Sequence, residues 1–167
     1  INECYADFRT IDGKFFYALG GIKSVGYEAI SNTIEERIAN GKFLSINDFL
    51  KRVNPKDINK LQLEGLVKAG AFDNINSNRQ ALFNSIPNII LKSKNIFENN
   101  SVNQIDLFQD DNDETYLDII DDWNVDVKLS KEFETLGFFI SDHPLNQYKS
   151  LFNQYNIIDY EEFNLNE

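Results

Sequence analysis

A chain of 167 residues, 42% of them hydrophobic, is long enough to bury a core without covalent staples and sets a prior of one ordinary domain. Its 27 acidic and 16 basic residues leave a net charge of −11, which excludes a protein that coats nucleic acid through bulk electrostatics. A single cysteine, Cys4, excludes an internal disulfide framework and fits a reducing, cytoplasmic compartment, and no apolar run is long enough to span a membrane.

The sequence starts at Ile1, contains no methionine and shows no signal-peptide pattern, so it reads as a piece of a longer protein. Ala6 to Tyr17 places Asp12-Gly13 between two short β-prone runs, which predicts a small hairpin. Tyr17 to Arg37, YALGGIKSVGYEAISNTIEER, is the stretch around which the chain is organised. An apolar run ends at Gly20-Gly21, a tight turn follows over Ile22 to Gly26, and a helix with Ala29, Ile30, Ile34 and Ile38 on one stripe runs to Asn40. Gly41 closes it. Ser45, three residues before Asp48, starts a short helix that Asn54-Pro55 stops.

Asn59 with Gln62 caps the next helix, whose stripe is Leu63, Leu66 and Val67 and whose end is Gly70. Ser77 with Gln80 caps another, and Pro87 should kink or split its continuation. Lys60 to Ile86 thus repeats the layout of helix, glycine turn, helix. Glu98 to Asp122 is dominated by Asn, Asp and Glu and reads as an acidic linker, poorly ordered in isolation. One apolar island interrupts it, Gln104-Ile105-Asp106-Leu107-Phe108. Ser130 should cap a helix closed by Gly137, Phe138 to Ile140 reads as a short buried run, and Pro144 fits the first position of a last helix.

A glycine turn that opens a helix aims backbone amides outward with a partial positive charge, and so makes an anion site. This is the layout of a helix-hairpin-helix, which lays amides against a nucleic-acid phosphate. The candidate contacts are Lys23, Ser24, Val25 and Gly26 in the first turn, and Lys68, Gly70 and Arg79 around the second. Each turn has a bland alternative, that of joining two core-packing helices. The Leu107-Phe108 pair has no evident core of its own and suits a short recognition motif, against the alternative of docking back on the helices. His143 reads as a cap or packing residue, because no Cys, His or carboxylate cluster has ligand spacing. Asp110, Asp111, Asp113 and Glu114 lack the pattern of a calcium loop. No catalytic residue and no metal site stand out.

The order YALGGIKSVG, KFLSINDFLKRV, NKLQLEGLVKAGAFD, NRQAL, QIDLF and KEFETLGFFISDHPLNQY resembles the alpha subunit of bacterial replicative DNA polymerase III over nearly the whole chain. The resemblance implies a mainly α fold. Residues 1–98 would hold a β-hairpin and a tandem helix-hairpin-helix domain that binds duplex DNA. Residues 99–127 would be an acidic linker carrying a sliding-clamp motif, Gln104 to Phe108. Residues 128–167 would be helices leading to an oligonucleotide-binding domain. It also implies other holoenzyme subunits as partners, no cofactor in this segment, and magnesium in a palm domain upstream that carries the nucleotidyl transfer. Two positions depart from the family pattern: Ser24 stands where a glycine is usual, and Gly70-Ala71-Phe72 lacks a closing glycine. Two other readings share these features, a module that binds only protein and a helix-hairpin-helix lyase with Lys23 as its Schiff-base amine.

Overall fold

The computed structural model describes residues 1–101, 117–158 and 163, with residues 99–101 described by backbone alone. The fold is mainly helical, with a small antiparallel sheet, as the sequence predicts. Strands β1 (Arg9–Ile11) and β2 (Lys14–Phe16) pair Arg9 with Phe16 and Ile11 with Lys14. The turn residues Asp12 and Gly13 both take positive φ, +50° and +74°, the geometry that matches hairpin twist.

Helix α1 (Tyr27–Asn40) follows the first turn and ends at Gly41. Helix α2 (Ile46–Arg52) is capped as expected: the Ser45 hydroxyl accepts from the Asp48 amide at 3.0 Å, and Asn54-Pro55 turns the chain away. In α3 (Lys60–Lys68) Asn59 Oδ1 accepts from the Gln62 amide at 2.9 Å. The Gln62 side chain does not return to the cap. It donates to the Asp57 carbonyl at 2.8 Å and so fastens α3 to the turn before it.

Two caps fall elsewhere than the sequence predicts. Helix α4 (Arg79–Asn84) is capped by Asn78, not Ser77: Asn78 Oδ1 accepts from the Ala81 amide at 2.9 Å while its Nδ2 donates to the Ile120 carbonyl at 2.7 Å. The amide side chain makes two bonds there, where a serine offers a single hydroxyl. Helix α6 (Val125–Leu136) starts at Asn124, whose Oδ1 accepts from the Val127 amide at 2.9 Å, so Ser130 lies inside the helix. Pro87 splits its helix rather than bending it: α5 (Ile86–Ser101) begins anew with Pro87 in its first turn, where a missing N–H costs nothing. A 3-10 turn over Pro144–Tyr148 and helix α7 (Lys149–Gln154) complete the described chain.

Helices α1 to α5 enclose one core, with Ile30, Phe43, Leu50, Leu66, Val67 and Ile86 at its centre. Phe43, Phe49 and Phe72 meet edge to face at 5.2 and 5.3 Å, which fixes α2 against the chain after α3. The polar region beyond α5 behaves differently from a free linker where it is described. Residues 99–101 continue the α5 helix, and Leu117 packs on the core. The Asp118 amide donates to the Ser85 hydroxyl at 2.9 Å, and Asp122 accepts from the Gln80 amide at 3.0 Å. Trp123 packs on Phe83 with tilted rings, centroids 5.4 Å apart. These contacts deliver α6 onto α3, so α6 shares one body with the hairpins.

Candidate nucleic-acid interface

The first turn is fixed from inside and bare outside. Ile22 and Val25 are buried, whereas Lys23, Ser24 and Gly26 are exposed. The Val25 amide donates to the Ile22 carbonyl at 3.1 Å and the Lys23 amide to the Thr135 carbonyl at 3.0 Å. Ser24 holds φ at +69°, a left-handed conformation that glycine adopts without strain and that accounts for the usual glycine there. No acceptor among the described residues meets the amides of Ser24 or Gly26, and Gly26, the residue before α1, gives the helix no side-chain cap. The first-turn amides of a helix have no partner within the helix. The result is a run of outward donors on a rigid turn, with Lys23 beside it.

The second turn is built the other way. Gly70, with φ +73°, sits so close to Arg79 that an added Cβ would lie 2.2 Å from Nη2. Arg79 is buried. Its Nε and Nη2 donate to the Asp73 carboxylate at 2.9 and 2.7 Å, and its Nη1 donates to Glu132 Oε1 at 2.8 Å. Glu132 is wholly buried and also accepts from the amides of Ile140 and Ser141 and from the Ser141 hydroxyl. Burial pushes the Glu132 carboxyl up, but the Ser141 bonds, Arg79 and the Ile140 amide outweigh it and hold it below the usual carboxylate range. The Arg79 guanidinium, expected at the second turn as a backbone contact, is thus engaged inside the protein in a core ion pair. Lys68 Nζ likewise donates to Glu134 Oε1 at 2.8 Å, with its side chain mostly covered.

The two turns are neighbours. Ile22 of the first and Ala69, Gly70 and Ala71 of the second line one cavity of about 190 Å³. The first turn rests on α3 at Gly65, where an added Cβ would stand 2.6 Å from the Lys23 carbonyl oxygen. Gly65 was legible as a glycine inside a helical pattern, where its cost in helix propensity points to a packing reason. Glu132 was legible too, as a charged residue in helical register with Leu129 and Leu136. Glu134 carries no such signal; only the docking of α6, where the Lys23 amide bonds the Thr135 carbonyl, brings it beside the first turn.

His143 caps the turn at Pro144, its Nδ1 accepting from the Leu145 amide at 3.2 Å. Among the described residues no group of His, Cys, Asp or Glu is placed to hold a metal ion. Likewise no described helix is long and apolar enough to cross a membrane. Gln104, Ile105, Asp106, Leu107 and Phe108, and the acidic run from Asp110 to Glu114, lie outside the described residues.

Residues 1–82 match the family model described as a helix-hairpin-helix motif. Among curated proteins, the chain is 40% identical to a DNA polymerase III subunit alpha of Rickettsia bellii over 89% of its length, which is 13% of that protein. It is 37% identical to the Campylobacter jejuni subunit over 96% of the chain and 14% of that protein, and 33% identical to the Borreliella burgdorferi subunit over 95% and 14%. The chain therefore spans about one seventh of the length of these relatives.

Proposed function

Since the chain belongs to the DNA polymerase III alpha subunit family, as a segment with the helix-hairpin-helix motif, we propose that it is a non-catalytic part of a bacterial replicative polymerase that grips the backbone of duplex DNA. The observation that carries this reading is the contrast between the turns. The first leaves the Ser24 and Gly26 amides without acceptors, while the second spends Arg79 and Lys68 on carboxylates of its own chain. Amides and the Ser24 hydroxyl donate to phosphate oxygens, and Lys23 adds one charge. Such contacts position a duplex and carry no sequence information. The second turn braces the first. Nucleotidyl transfer, its magnesium and the remaining holoenzyme contacts belong to other parts of the longer, cytoplasmic protein. Gln104 to Phe108 serves as a tether to the sliding clamp.

Fluorescence anisotropy with a short labelled duplex at low salt tests the grip. Binding should be weak and independent of sequence, with a shallow salt slope of roughly one to three phosphates. Lys23→Glu should weaken it on the order of threefold to tenfold, through repulsion at short range. Equal binding of variant and parent would remove the first turn from the interface.

A further inference from the structure

Glu134 lies on α6 next to the proposed DNA-gripping turn. The Lys23 amide bonds the carbonyl of Thr135, the next residue, so the turn and this carboxylate are held side by side. Its two oxygens face two lysines: Oε1 meets Lys68 Nζ at 2.8 Å and Oε2 meets Lys131 Nζ at 3.7 Å. The Lys68 hydrogen bond, and then the charges of Lys68, Lys131 and Lys23, hold Glu134 below the usual carboxylate range. Two ammonium groups, from α3 and from α6 itself, therefore meet one anion beside the turn.

That anion is replaceable. Glu134 is 48% exposed, whereas Glu132, two residues earlier on the same helix, is wholly buried and bonded by Arg79 and two amides. Glu134 is the solvent side of the pair and Lys68 the mostly covered side; solvent screens the carboxylate, so exchanging it for another anion at the same place keeps Lys68 paired and costs the fold little. A phosphodiester presents what Glu134 presents, one negative charge over two unesterified oxygens, and lysine is a common partner for it. We propose that the Glu134 carboxylate is a stand-in for a DNA phosphate: it holds Lys68 and Lys131 beside the first turn and gives them up when duplex arrives. The site then extends from the turn onto α6, with Lys131 as a further DNA contact. This rests on the duplex-binding reading above and deepens it.

The test is duplex binding by the full 167-residue chain, titrated with salt, for the parent, Glu134→Gln, Lys131→Gln and Lys23→Glu. With the competing charge removed, Glu134→Gln should bind about two- to tenfold tighter at low salt, with a slope steeper by about one. Lys131→Gln should bind more weakly with a shallower slope. Thermal melts confirm that each variant is folded, and Glu134→Asp serves as a second variant, expected to bind like the parent. Weaker or unchanged binding by folded Glu134→Gln, while Lys23→Glu still loses affinity, overturns the stand-in and leaves the first turn intact as the contact. Tighter binding by Glu134→Gln with no effect of Lys23→Glu keeps the lysine cluster and removes the turn. No binding by the parent and by Glu134→Gln overturns both.

Discussion

At the scale of the residue, the decisive side chain is Arg79. A lone arginine just after a glycine turn in a helix-hairpin-helix layout reads as a phosphate contact, yet it is one half of a buried ion pair with Glu132. Breaking a buried pair leaves an uncompensated charge, so Arg79→Ala should destabilise the domain by about 3 kcal/mol, a fall in Tm of roughly 6–12 °C. Duplex affinity per folded molecule should not change. A variant that kept its Tm and lost affinity would return Arg79 to the interface. The same pair is acid-sensitive in a defined direction. Glu132 is held below its ordinary value in the folded state, so its contribution is complete above the unfolded value of about 4.3. It is lost as the pH falls through the lower folded value. The protection of the Ile140 and Ser141 amides, which bond this carboxylate, taken relative to the intrinsic exchange rate at each pH, should therefore fall as the pH drops through that lowered folded value.

At the scale of the element, the first turn depends on what lies beneath it. Alanine at position 65 improves helix propensity by about 1 kcal/mol. Here the new methyl would stand 2.6 Å from a backbone oxygen of Lys23, and that carbonyl cannot rotate away as a side chain could. Overpacking of this kind costs about 1–3 kcal/mol. Gly65→Ala should therefore lower stability, and it should weaken duplex binding by lifting the turn from α3. Equal binding, read by anisotropy alongside a melt, would mean that the turn needs no seat. The Asn78 cap belongs to the same scale. Ser77 and Asn78 both suit a helix start, and the choice falls on Asn78 because its amide also reaches the Ile120 carbonyl, 42 residues along the chain.

For the whole molecule, the proposed tether should be separable from the fold. Leu107 and Phe108 should bind the clamp as an extended peptide of modest, on the order of micromolar, affinity. Once polymerase and clamp share one duplex, such a contact is effectively intramolecular, and weak affinity is enough. Burial of the two side chains supplies about 2 to 3 kcal/mol each. Replacing both with Ala should abolish clamp binding in calorimetry while the Tm and duplex binding stay unchanged. Residual clamp binding, or a fallen Tm, would make the pentapeptide a packing element.

The sequence by itself determined the helices that are set by local chemistry. Ser45 and Asn59 cap through bonds to amides three residues on, Asp12-Gly13 makes its hairpin, and Pro87 divides α4 from α5. All of these interactions are closed within a few residues, so composition and spacing are sufficient to place them. The tertiary structure alone decided which turn faces outward. The roles of Arg79, Lys68 and Gly65 depend on Glu132, Glu134 and the Lys23 backbone, partners 42 to 66 residues away. No local pattern encodes whether a basic side chain meets solvent or a carboxylate on a distant helix. That is settled when α6 docks and its two glutamates divide the lysines and arginine between the core and the surface.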